Sequence, residues 1–470
     1  MINIIEPTEI LFLLSSFQNL FTAPSFEYFC HFVLSFMGLE DEGFVTNVYL
    51  SSSSRKHWTN YHRFLSRYRW TAIEVSKKLF WLLLKIIKPV AEGRRLEIIG
   101  ALDDTYTEKH GSKFYGVSWY HKPHNNKKGN KIWANCWVCF GLLFPFGTGW
   151  LFFPISALLY VRKKYTAISS QFKTKLELGV EIIENLEVPD WIHLTVITDG
   201  FYGAKKKFAF KLLGKGKDIV SRLRKDAAIY EPPPEKKTKK RGRPRKYGDR
   251  LYIKQLAERK NFFTPTEVTI YGKKKIVDLG SKLVKIRGWD KLVLLVITRD
   301  VNNKLIPLFS TDILLPPAKV LQLYSARWKI ELAFRELKQL GKMEDYRVRS
   351  KEGMTKHVTL CFVAHSLLRL LPLTKIHIHT RPVNRPWYKK AGITTGQLRI
   401  MFQRECLLQL FFRLLRQLGI THENDEVINE FNSLIDSANE IKFERTITEN
   451  EETLNGLIDF YRNNYDNKKC

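Results

Sequence analysis

The sequence predicts an α/β chain: a mixed-sheet core interrupted by a β-rich insertion, behind an N-terminal helical region. Three observations carry this prediction. Apolar residues recur at helical spacing from the start of the chain to about residue 92. Two short apolar runs, 96–102 and 192–198, each deliver an aspartate at their ends, which describes a mixed sheet with acids along one edge. Residues from about 228 to 312 break the alternation with a series of strand-like runs, a gap far longer than one crossover needs.

In the helical region the periodicity lies in Leu11 to Leu20, Tyr28 to Met37 and Trp70 to Ile87, with Ser51 to Ser54 as a break. The strand Leu96 to Leu102 is expected to end on Asp103-Asp104-Thr105. Ile132 to Val161 carries no charge and could pass for a membrane span. Pro145, Pro154 and the turn-like Phe146 to Gly149 break it, so it reads as a buried hairpin. A helix over Phe172 to Leu186 and a strand over Ile192 to Thr198 follow, ending on Asp199-Gly200. Lys205 to Leu213 reads as a basic helix and Asp218 to Lys225 as a strand. Four runs then read as insertion strands: Glu267 to Tyr271, Lys275 to Ile286, Leu292 to Thr298 and Leu305 to Phe309. Asp312 can cap a helix entered through Pro316 and Pro317 and ending near Gly341. Another helix is expected from His357 to Leu371, and beyond about Gly419 the composition turns acidic. The regions are therefore 1–92, 93–227, 228–312, 313–418 and 419–470.

At 470 residues and 44% hydrophobic, the chain can bury a large core without staples. Six scattered cysteines form no disulfide framework and fit a reducing compartment. Cys136 and Cys139 form a close pair, but in an apolar run without further ligands, where packing is the expected role. The first cationic residue is Arg55, so no basic segment of the kind export requires precedes it, and no membrane is expected as a partner. The net charge is +30. Like charges on a compact body repel, so such an excess calls for a polyanion, with nucleic acid the leading class. Arg55 to Trp58 and Tyr61 to Arg63 mix basic and aromatic residues, as a DNA-gripping module or a solvated helical cap would.

Tyr324, Arg327, Glu331 and Lys338 follow the spacing Y-x2-R-x3-E-x6-K. Steps of three, four and seven return to nearly one side of a helix, so a carboxylate would lie flanked by two cations and a phenol. This pattern resembles the glutamate helix of bacterial insertion-sequence DDE transposases, in the insertion-sequence-four group. The resemblance spans about residues 96–350 and takes in Leu102-Asp103-Asp104-Thr105 and Thr198-Asp199-Gly200-Phe201-Tyr202-Gly203. It implies a ribonuclease H-like core in which Asp103, Asp199 and Glu331 are the catalytic metal ligands, binding Mg2+ with Mn2+ able to substitute. Tyr324, Arg327 and Lys338 would hold phosphates of the transposon end. The partners implied are double-stranded DNA, as terminal inverted repeats and target, and a second copy of the chain on that DNA. The setting implied is the bacterial cytoplasm, on the nucleoid. Asp104 competes with Asp103 for the first position, because neighbouring strand residues point to opposite faces; the family's D-x-T pattern favours Asp103.

Each acid alone reads as a turn, a cap or an exposed i,i+4 partner. Together, in the order Asp, Asp, insertion, Glu, they read as a site for two-metal phosphodiester chemistry. Glu336, Glu344 and Asp345 have no motif support, and His193, His357 and His365 read as core or surface histidines. Trp289 is a candidate for receiving a base by location only. In the basic tract Lys236 to Gly248, Arg241-Gly242-Arg243-Pro244-Arg245 resembles an AT-hook, whose arginines lie in a narrow minor groove. Two other readings stand beside a transposase: an inactive DNA-binding relic of one, and a ribonuclease H-like nuclease that does not join strands.

Overall fold

The structure is a computed structural model that describes residues 8–52, 56–87, 96–121, 130–165, 171–203, 205–234, 245–300, 302–374 and 394–417, with 429, 432 and 433. The chain divides into two compact units, Leu83–Arg335 and the pair Met1–Leu82 with Glu336–Cys470. The basic residues 236–243 and most of the acidic tail lie outside the described residues.

The unit formed by the two ends of the chain is helical, as the 3.6-residue periodicity requires. Its N-terminal part holds α1 (Thr8–Ser15), α2 (Ala23–Gly38), α3 (Val45–Ser51), α4 (Thr59–Ser66) and most of α5 (Ala72–Ile87). Its C-terminal part holds α11 (Lys351–Leu370) and α12 (Thr395–Gln417). Helix α11, capped by the Ser350 hydroxyl accepting from Gly353 N, is buried along nearly its whole length. Buried cations tie the two parts by capping loose carbonyls: Lys342 Nζ donates to Glu40 O at 2.9 Å and Lys356 Nζ to Tyr68 O at 2.7 Å. Lys56 pairs with Glu27 at the surface, and Tyr61 is fully buried.

The other unit is built on one mixed sheet. Its first five strands are β1 (Leu96–Glu108), β2 (Ser118–His121), β3 (Lys131–Phe146), β4 (Gly149–Tyr160) and β5 (Ile192–Thr198). The rest are β6 (Asp218–Arg222), β7 (Ile229–Tyr230), β8 (Arg250–Leu251), β9 (Thr264–Ile270), β10 (Lys273–Ile286), β11 (Leu292–Arg299) and β12 (Leu305–Ser310). The order is β2-β3-β1-β5-β6-β12-β11-β10-β7-β8, with β4 also on β3 and β9 on β10. The uncharged run forms the β3–β4 hairpin, turning at Gly147 with φ near 54°. Pro154 sits opposite Gly141 where the register slips, a place that needs no ladder donor.

Parallel β1, β5 and β6 form the centre, with Leu102, Val196, Ile197 and Val220 wholly buried. Helix α6 (Lys175–Asn185) packs on the sheet and starts with a full capping box between Thr174 and Glu177. Helix α7 (Lys206–Leu213) carries the chain from β5 to β6, and the short α8 (Ile253–Glu258) follows β8 along the chain. The insertion strands do not stand apart: β12 pairs antiparallel with β6, so they extend the same sheet.

Three sequence expectations are corrected. Strand β1 does not end at Asp103 but runs to Glu108, because β3 goes on pairing with it after β5 has stopped. The single helix expected from Asp312 to Gly341 is two, α9 (Pro317–Ala326) and α10 (Trp328–Gln339). They part at Arg327, where the hydrogen bonds tighten: Arg327 N donates to Tyr324 O and Ile330 N to Arg327 O. Asp312 does not cap α9; its Oδ1 accepts from Leu314 N, and Pro316 stands at the cap.

Candidate active site

Asp103 and Asp199 arise from one register. Pairing between β1 and β5 ends at Leu102 opposite Thr198, so each aspartate is the next residue on a neighbouring parallel strand. Adjacent strands lie about 4.8 Å apart. Both therefore stand at the carboxyl end of the parallel strands, where open α/β sheets gather ligands. Asp199 is set by its turn: its Oδ1 accepts from Phe201 N at 3.0 Å and Tyr202 N at 3.2 Å, and Ser221 Oγ donates to its carbonyl at 2.7 Å.

The strand pleat separates Asp103 from Asp104. Asp103 Oδ2 accepts from Arg327 Nη1 at 2.8 Å. Asp104 meets a different set: Lys175 Nζ donates to its Oδ2 at 2.6 Å and the Tyr202 hydroxyl to its Oδ1 at 3.2 Å. Lys175 carried no motif, and the Thr198–Gly203 motif gave Tyr202 no role of its own; Tyr202 lies 98 residues from Asp104, beyond the reach of local patterning.

Arg327 joins the helices to the sheet. Its Nη2 donates to Glu331 Oε1 at 2.6 Å while Nη1 holds Asp103, so one guanidinium spans two of the three acids. Its charge lies 5.8 Å from the Tyr324 ring centre. Asp103, Asp199, Tyr324, Arg327 and Glu331 all belong to the sheet unit. Lys338, further along α10, pairs with Glu344 at 3.8 Å. Of the tract arginines, Arg245 is exposed, while Arg241 and Arg243 fall outside the described residues.

Burial pushes the Asp103 carboxyl up to about 7; Arg327 pulls against it, while Asp199 and Asp104 add to it. Burial raises Asp199 as well, against the hydrogen bonds from Tyr202 and Phe201. Burial lowers the Arg327 affinity for its proton, but Asp103, Tyr324 and Glu331 outweigh that and hold it charged. Carboxylates gathered in a poorly solvated place disfavour one another's ionised forms, and a cation relieves both effects. The donor set is hard oxygen, which suits Mg2+ or Mn2+.

Among the described residues, the three metal-ligand side chains that converge most closely are not these. They are His193, Asp218 and Asp312, with ligand atoms within 4.8 Å of one another. They sit at the opposite end of β5 from Asp199. His193 Nε2 is 3.2 Å from Asp218 Oδ2, and Thr311 Oγ1 donates to Asp218 Oδ1 at 2.7 Å. Trp289 is no base receiver: it is 2% exposed and packs edge-on against Phe210 and Phe309. Cys136 and Cys139 are buried thiols of β3 and belong to no ligand cluster among the described residues, and burial pushes Cys136 up to about 12. Among the described residues no helix is long and apolar enough to cross a membrane.

Comparison with solved structures finds a piggyBac transposase synaptic complex with hairpin DNA, at 10% identity and a TM-score of 0.38, covering 88% of this chain and 78% of that one. A Drosophila P element transposase strand transfer complex follows, at 11% identity and a TM-score of 0.20, covering 98% and 88%. No curated protein matches the chain. Residues 42–270 match a family model described as DDE superfamily endonuclease, a span that holds Asp103 and Asp199. Residues 174–367 match one described as Transposase DDE domain, which holds Asp199 and the stretch from Tyr324 to Lys338. These two matches support a DDE transposase.

Proposed function

We propose that the chain is a DDE transposase of the insertion-sequence type, which cuts DNA at the ends of its element and transfers the freed 3′-hydroxyl to target DNA. The observation that carries this reading is the register that sets Asp103 and Asp199 side by side, with Glu331 joined to Asp103 through Arg327. The run β4-β3-β1-β5-β6, three antiparallel strands continued by two parallel ones, is the sheet a ribonuclease H-like core would need for that placement.

In this reading Asp103, Asp199 and Glu331 hold Mg2+, or Mn2+ in its place. Such ions, when bound, activate the attacking hydroxyl and stabilise the leaving oxygen. Arg327 neutralises the acids in the DNA-free protein and turns to a phosphate of the DNA, where its fork geometry suits the ligand as well as a carboxylate. Tyr324 and Lys338 hold further phosphates. The DNA is duplex, bearing the element's terminal repeats, and two copies of the chain pair two such ends.

The test is cleavage of the DNA flanking this gene, with and without Mg2+ or Mn2+, by the wild type and by Asp103→Ala, Asp199→Ala and Glu331→Ala. Metal-dependent cuts at discrete positions near matching inverted repeats are expected from the wild type alone, with DNA binding retained by all three variants. Loss of binding together with cleavage in every variant would count against the ligand roles. Binding without cutting by the wild type would favour the inactive relic, and cutting without joining the nuclease.

A further inference from the structure

Beside Asp199 the sheet unit carries a hollow of about 410 Å3, lined by Phe201, Arg222, Leu223, Arg224, Lys225 and Asp226 with Gly200 at its edge. Two features of it call for a ligand. The Phe201 ring is 46% exposed although its backbone is fixed, because Phe201 N is bonded to the Asp199 carboxylate. A phenyl ring held against water on a rigid turn forgoes the gain that burial would bring it. The second feature is charge. Among the described residues none of Arg222, Arg224 and Lys225 makes an ion pair, and Asp226 is the one acid in the lining.

The hollow is built against the active site. A side chain at Gly200 would stand 3.1 Å from Arg222 O, so the turn after Asp199 and the end of β6 are in close approach. Cations that track a backbone, with an aromatic face between them, are the elements of a single-strand nucleic-acid site. The volume falls within the range of small-ligand pockets and suits one nucleotide.

We propose that this hollow takes one nucleotide of the DNA strand under attack, its phosphates on Arg222, Arg224 and Lys225 and its base against Phe201. The proposal rests on the transposase reading for the identity of the strand. It names a substrate contact outside the acids and the glutamate helix.

The test uses the full chain and a short oligothymidylate carrying 4-thiothymidine, irradiated and mapped by mass spectrometry. Adducts are expected on Phe201 or within residues 222–226. In parallel, binding is measured for the same oligomer and for an equally long abasic one. Phe201→Ala should weaken the base-bearing oligomer by about ten-fold and leave the abasic one unchanged, with Phe201→Trp restoring the loss. Arg224→Ala with Lys225→Ala should weaken both oligomers and reduce the salt slope by about 0.7 for each phosphate no longer neutralised. Adducts confined to other regions, or equal losses for both oligomers with Phe201→Ala, would overturn the proposal. None of these readouts needs cleavage. Metal-dependent cutting with no adduct in the hollow would sink this inference alone, and adducts without cutting would sink the chemistry while leaving the site.

Discussion

Asp104 shows how a residue behind a site can govern it. Its carboxylate accepts from Lys175 on α6 and from Tyr202, whose own backbone N–H holds Asp199. Tyr202 thus links the turn carrying Asp199 to the strand carrying Asp103, and burial keeps its hydroxyl protonated and donating. Removing that hydroxyl should loosen the spacing of the two aspartates without emptying the core. Tyr202→Phe is expected to raise the Mg2+ concentration for half-maximal cleavage by about ten-fold, with DNA affinity unchanged and the loss recovered at saturating metal. A loss that excess metal does not recover would mean that Tyr202 serves the fold only. Lys175→Ala is harsher, because it leaves Asp104 as a partly buried charge without its cation; a cost of about 3 kcal/mol is expected in urea unfolding. The D-x-T pattern pointed to Asp103, and alternation said only that one aspartate must turn away. Which partners the other would find depended on Lys175 and Tyr202, 71 and 98 residues distant.

At the scale of elements, local pattern served well where one segment decides. The apolar runs became β5, β11 and the β3–β4 hairpin, and the Thr174–Glu177 box starts α6. It failed at Arg327, where no proline or glycine marks the break between α9 and α10. There the guanidinium reaches two acids, and the tightened turn leaves no local signature. Glu336 is a related case, an acid that looked idle in sequence. In the helical unit it accepts from His365 Nε2 at 3.0 Å and Arg369 Nη1 at 3.3 Å, and Arg369 also donates to Thr395 at 2.6 Å. Burial alone would raise the Glu336 carboxyl, but His365, Arg369 and Thr395 hold it down to about 2. Burial also lowers His365, so the charge facing Glu336 at neutral pH is that of Arg369. A carboxyl depressed on folding adds stability above its unfolded value near 4.5, and that stability is lost as pH falls towards 2. Glu336→Gln should therefore cost about 2 kcal/mol at pH 7, and the gap to wild type should close as the pH falls through that window. A gap that stayed constant across urea titrations at falling pH would mean that packing, and not the ionised carboxylate, supplies the difference.

At the scale of the molecule, the net charge of +30 is legible in composition, but its placement depends on which strands meet. The pairing of β12 with β6 joins residues about 90 apart, and no periodicity foretells such a contact. The basic tract shows what topology adds. Its flanks are clipped together: β7 pairs with β8, Glu231 N donates to Asp249 O at 2.9 Å, and Gly248 N donates to Glu231 O at 3.0 Å. Tyr247, near the end of the tract, has its ring 4.7 Å from that of Tyr230, tilted by 35°, and accepts from Gly288 N at 2.6 Å. The residues flanking 236–245 are therefore held together, and replacing 236–245 with a short glycine-serine linker should not disturb β7 or β8. That replacement removes seven cationic residues. Each phosphate that is no longer neutralised should reduce the slope of log affinity against log salt by about 0.9 on duplex DNA, because fewer counterions are released on binding. Cleavage positions should stay where they are, since Asp103, Asp199 and Glu331 are placed by β1, β5 and α10 and not by the tract. A slope equal to that of the wild type would exclude the tract as a DNA contact. A shift in the cut positions would instead mean that its arginines set the register of the DNA on the acids, a role that minor-groove insertion by Arg241, Arg243 and Arg245 would explain.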